Sequence, residues 1–120
     1  MVWVPELGAE EKHVSPALKA VPDDRATHYW DGGGLLMRGY SPVLALPTFN
    51  GTRMNAWDLY MIYGPESRWT AVLPPKPEYW MHQLFISDDN TEFLDAGEFA
   101  AQAELKLKKL PASRSATKTD

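Results

Sequence analysis

The sequence predicts a single α/β domain with elements in the order β-α-β-α-ββ-α, ending in a C-terminal helix, and three observations carry that prediction. Short β-branched and aromatic runs at Val2–Val4 and Thr27–Trp30 flank a segment of helical period. An alternating stretch over Ala56–Tyr63 is followed, after turn chemistry, by a second alternating stretch over Arg68–Leu73. A capped amphipathic segment begins at Asp95. At 120 residues the chain has room for one core, since domains are typically built from roughly 100 to 150 residues. The domain is expected over residues 1–110, with 111–120 as a disordered tail.

Val2, Trp3 and Val4 form a short strand stopped by Pro5. From Ala9 to Val21 the apolar positions Val14, Ala17, Leu18 and Val21 have helical spacing, and Pro16 suits the first turn of a short helix capped by Ser15. Pro22, Asp23 and Asp24 make a turn before the strand Thr27–Trp30, which ends at Asp31 and the glycines Gly32, Gly33 and Gly34. Leu36, Tyr40 and Leu44 recur at four and predict a helix of two or three turns, against the breaking tendency of Gly39 and Pro42.

Pro47–Asn55 is polar and reads as a loop. In the strand that follows, Trp57, Leu59, Met61 and Tyr63 share one face, and both faces are mostly apolar, as in a strand buried within a sheet. Gly64, Pro65, Glu66 and Ser67 form the turn to Arg68–Leu73. Pro74, Pro75 and Pro77 impose an extended connection, and Tyr79–Ile86 reads as an edge strand or packed loop. Asp95 with Glu98 has capping-box spacing; Phe99, Ala103, Leu107 and Leu110 give the last helix an apolar face, and Pro111 ends it.

Composition narrows the function. Apolar residues make up 44% of the chain, enough for a packed interior and too many for a disordered one. A net charge of -4 disfavours nucleic acid, and the cluster Lys106, Lys108 and Lys109 suits the negative end of a helix dipole. No run approaches the roughly 20 apolar residues of a membrane span and no signal core is visible, so the default compartment is the cytoplasm. The chain has no cysteine, which removes disulfides, thiolate ligands and thiol catalysis.

The element order resembles the later part of the thioredoxin-like fold. Sequence around VWVPELGAEEKHVSPA (Val2–Ala17), THYWDG (Thr27–Gly32), AWDLYMIYG (Ala56–Gly64) and WMHQL (Trp80–Leu84) is similar to some bacterial thioredoxin-like proteins. In that family a central strand and a helix headed by a Cys-x-x-Cys pair precede the strand matching Val2–Val4, and this chain carries neither. The family's proline before the hairpin would fall near Asn55, whereas the nearest upstream proline is Pro47. The resemblance implies an incomplete thioredoxin-like fold, without thiol chemistry, in which the strand missing from mid-sheet leaves unpaired edges and an apolar face. It implies an interface, to a second copy or a partner protein, at Val2, Trp3, Val4, Leu59 and Met61.

Among candidate site residues, Trp30, Trp57, Tyr79, Trp80 and His82 could line a groove for a peptide or small ligand, though core packing is the ordinary role of such aromatics. His28, Asp31, Asp58 and Gln83 are polar orienters. His28 and His82 with Asp31 and Asp58 could in principle gather at a metal, yet no zinc spacing is present, and no metal or cofactor is expected. As an acid–base pair Asp31 and Asp58 would need a cleft and shifted pKa values. Ser15, Ser41 and Ser67 sit in no nucleophile elbow; the triple glycine lacks the Lys and Ser/Thr of a phosphate loop; and Asp88, Asp89, Asn90 and Glu92 lack calcium-loop spacing. The function expected is a non-catalytic binding or assembly module. The alternatives are part of a thiol-disulfide oxidoreductase whose cysteines lie elsewhere, and a small metal-dependent enzyme using His28 and His82.

Overall fold

A computed structural model describes residues 1–84 and 92–111. It shows a small α/β domain with three α-helices and three two-stranded sheets among those residues. The end of the Tyr79–Ile86 segment, the acidic positions 88–90 and residues 112–120 of the expected tail lie outside the described residues. No helix among the described residues is long and apolar enough to cross a membrane.

Strand β1 (Val2–Trp3) pairs in parallel with β2 (Tyr29–Trp30), the arrangement a β-α-β crossover requires. Between them lies a helical run broken into three pieces: a 3-10 turn over Glu11–His13, helix α1 (Val14–Ala17) and a second 3-10 turn over Leu18–Ala20. The run therefore starts before the expected Ser15 cap. Its start is organised by His13, whose Nδ1 accepts the Glu10 backbone N–H at 2.9 Å, and Pro16 falls in the first turn of α1, where its missing N–H costs little.

Helix α2 (Leu35–Val43) lies where the four-residue recurrence placed it. The Asp31 carboxylate accepts N–H bonds from Leu35 at 2.9 Å and Met37 at 3.1 Å, satisfying amides that a helix start leaves free. Gly34 enters the helix at φ 65°, a left-handed conformation natural to glycine. Met37, Tyr40 and Ser41 are buried on one face, and the Ser41 hydroxyl donates to the Met37 and Met54 carbonyls.

The segment read as a loop holds a hairpin. Strands β3 (Thr48–Phe49) and β4 (Thr52–Arg53) meet at Asn50-Gly51, both with positive φ (50° and 79°), the type I′ geometry that Asn-Gly favours.

Strand β5 (Leu59–Ile62) is the alternating stretch expected, but its partner is not Arg68–Leu73. It pairs antiparallel with β6 (Tyr79–His82), in register Leu59 with His82 and Ile62 with Tyr79. Arg68–Leu73 forms no strand because Thr70 folds it locally: its hydroxyl donates to the Leu73 carbonyl at 3.0 Å and accepts the Leu73 N–H at 3.1 Å. The paired run lies beyond the prolines.

Helix α3 (Ala96–Lys109) starts at Asp95, whose carboxylate accepts the Glu98 N–H at 2.9 Å, and its last turn carries the three lysines. Phe99 packs edge-on against Tyr60, and Lys106 reaches Glu78 at 3.1 Å. The core lies on the other side of the β5–β6 pair, where Tyr40, Leu44, Leu46, Ala56 and Leu84 are buried and Leu59, Met61 and Trp80 pack against them.

Candidate functional site

The β1–β2 and β5–β6 pairs do not join into one sheet. A cavity of about 770 Å³ is lined by both of them, with Val2, Trp3 and Val4 on one side, Leu59 and Met61 on the other, and Leu36, Met37 and Tyr40 of α2 also lining it. Backbone geometry defines the walls. Strand β1 turns its Met1 and Trp3 carbonyls to β2, accepting from Tyr29 at 3.0 Å and Asp31 at 2.8 Å, so the Val2 N–H and C=O point to the opposite edge. On β5, the Gln83 N–H donates to the Asp58 carbonyl at 3.1 Å. With the register, this makes Asp58, Tyr60 and Ile62 the positions bonded to β6 and turns the Leu59 and Met61 peptide groups to the free edge.

The five residues expected at an interface, Val2, Trp3, Val4, Leu59 and Met61, all line this groove. Of the four residues expected as polar orienters, Asp58 lines the groove, and the other three make hydrogen bonds to residues next to it. His28 Nδ1 accepts the Trp3 indole N–H at 3.1 Å, with the two rings stacked. Asp31 caps α2. Asp58 stands at φ 53°, a region Asp tolerates better than most residues, and lines the groove directly. The Tyr60 hydroxyl donates to Gln83 Oε1 at 3.1 Å, so Gln83 ties β6 to β5.

The expected aromatic groove is not assembled as a unit. Trp57 lines the β1/β5 cavity, whereas Tyr79 packs on Phe99 of α3, and Trp80 stands beside His82 with ring centroids 5.7 Å apart. Trp30 folds its indole over the backbone of Gly32. Tyr40, Tyr63 and Trp69 complete the cavity lining, with Trp69 edge-on to Tyr40. In the sequence, the Leu36/Tyr40 spacing signals Tyr40, and the strand face shared with Trp57, Leu59 and Met61 signals Tyr63. Trp69 was assigned to a strand that does not form.

The Tyr40 and Tyr63 hydroxyls bond to each other, and burial raises both phenols above their ordinary pKa, Tyr63 further because Tyr40 adds to it; both stay protonated at neutral pH. Among the described residues, Glu6 and Asp58 are the only carboxylates lining the cavity. His82 is 3% exposed and its Nδ1 accepts the Leu84 N–H at 3.0 Å; burial holds the ring below its ordinary pKa, partly opposed by the Glu92 carboxylate. Neither His28 nor His82 lines the groove, and no group of three or more metal-capable His, Asp or Glu side chains occurs among the described residues.

Comparison of the chain with protein-family models, with curated proteins and with solved structures finds no match.

Proposed function

We propose that this chain is a non-catalytic binding or assembly module, of thioredoxin-like ancestry and without thiol redox activity, that receives a protein partner in the groove between β1 and β5. The observation that carries this reading is that two strand edges, each without a strand partner among the described residues, face one apolar cavity. Around the cavity, Val2, Tyr60, Tyr63 and Trp69 remain exposed at 46%, 37%, 37% and 62%, an apolar rim of the kind that marks an interaction surface. The absence of cysteine and the protonated phenols argue against nucleophilic chemistry at the same place.

The test uses reduced, carboxymethylated α-lactalbumin, an unfolded polypeptide with its thiols blocked, titrated against the tryptophan fluorescence of the protein. Binding is expected below about 100 μM. Val2→Glu and Trp69→Ala, both at exposed positions of the lining, are expected to weaken it about tenfold, equivalent to about 1.4 kcal/mol, with the circular dichroism spectrum unchanged. Leu107→Glu on α3, which does not line the groove, is expected to leave binding intact. Equal binding by all three variants, or no binding together with a strictly monomeric protein in sedimentation at high micromolar concentration, would overturn the reading.

A further inference from the structure

We infer that the occupant of the groove is an extended segment of a partner protein that adds as a β-strand between β1 and β5, apolar at alternate positions and carrying a lysine or arginine. This deepens the binding-module reading and rests on it. The first argument is the polar inventory of the walls. Val2 on one side and Leu59 and Met61 on the other direct N–H and C=O groups to the free edges. A small apolar ligand would bury these groups without partners, whereas a peptide backbone supplies donors and acceptors at matching intervals of roughly 3.3 Å per residue.

The second argument is the lining beneath. Leu36, Met37 and Tyr40 are apolar or aromatic, so a strand between the walls can place every second side chain on them while the intervening ones face outward. The volume of about 770 Å³ lies within the roughly 300–1,000 Å³ typical of ligand sites.

The third argument is charge. Glu6 and Asp58 line the cavity, and among the described residues no Lys, Arg or His side chain does. The Met1 ammonium is engaged with the Thr27 carbonyl on the β2 side. Glu6 has one carboxylate oxygen bound by the Asn55 amide, and Asp58 meets only the Tyr60 hydroxyl; neither carboxylate forms an ion pair among the described residues. A cationic side chain on the incoming strand would complement them.

A second copy of the chain fits less well. In a two-fold dimer the same concave surface would face itself, and two grooves cannot fill each other.

The experiment is an amide-resolved NMR titration with an acetylated, amidated peptide of alternating valine and threonine bearing a lysine at each end. Two companion peptides are used: one N-methylated at every second residue, which keeps the side chains but removes backbone donors, and one with glutamates replacing the lysines. The expected result is shifted and exchange-protected amides at Val2, Leu59 and Met61, about tenfold weaker binding of the N-methylated peptide, and weaker binding of the glutamate peptide that Asp58→Asn relieves. Groove binding of α-lactalbumin with equal affinity for methylated and unmethylated peptides would remove strand addition and leave the binding module standing. Failure of both α-lactalbumin and the peptides, with a strictly monomeric protein in sedimentation, would remove both. Protection of the same amides by self-association without peptide would identify the occupant as a second copy and overturn the inference.

Discussion

The two faces of the β5–β6 pair are built by different means. On one face α2 lies over Leu59, Met61 and Trp80, and Tyr40, Leu44, Leu46, Ala56 and Leu84 are closed from solvent. On the other face α3 buries none of its residues; it leans on Tyr60 and Tyr79 through Phe99 and on Glu78 through Lys106, leaving Leu107 66% and Leu110 42% exposed. A pair of rings and an exposed ion pair contribute on the order of 1 kcal/mol each, against several for a closed aliphatic cluster. The α2 side thus fixes the groove, while α3 holds by local capping and light contact.

The largest effect that distinguishes the faces is expected from Leu46→Ala, where a side chain 2% exposed leaves a cavity: about 3 kcal/mol is lost in urea unfolding. Leu107→Ala on α3 is expected to change stability by less than about 0.5 kcal/mol. Similar losses from the two substitutions would erase the contrast.

Acid attacks the α2 side through His82. Its folded pKa lies below the ordinary 6.5, so the unfolded chain binds the proton more readily. The contribution of the neutral ring is present above 6.5 and is lost as pH falls through the lower folded value. Protonation would orphan the buried Leu84 N–H, a loss of about 1–3 kcal/mol. Unfolding midpoints measured from neutral to acid pH should therefore fall more for the native protein than for His82→Gln; parallel curves would assign the acid sensitivity elsewhere.

Asp31→Ala removes the acceptor for two amides at the start of α2 and is expected to cost about 1–2 kcal/mol, read as a lower unfolding midpoint together with weaker groove binding. At α3 the equivalent change, Asp95→Ala, is expected to cost about 1 kcal/mol locally. Faster hydrogen exchange confined to Ala96–Lys109, with the global midpoint unmoved, is the signature that α3 is a separate, lightly held layer.

Legibility in the sequence follows the range of the interaction. The Asp95 cap, the Leu36/Tyr40 period and the β5 alternation were readable because each rests on neighbours within a few residues. The β3–β4 hairpin was readable in principle from Asn50-Gly51 but was read as a polar loop. The partner of β5 is Tyr79–His82, the run expected as an edge strand or packed loop, and not Arg68–Leu73, because the alternation of Trp69, Ala71 and Leu73 does not by itself choose a pairing partner. Thr70 decided it by closing its own turn.

By itself the sequence determined the chemistry left out and the local elements: no thiol, an acidic balance, the capped start of α3, the helical period of α2 and the alternation of β5, all properties of residue type and short spacing. Tertiary structure decided which strands pair and, through that, that Val2 and Met61 face one cavity although far apart along the chain. Backbone hydrogen bonds are the same for every residue, so no side-chain pattern specifies which strand edge is left free; that depends on which partner reaches it first in space.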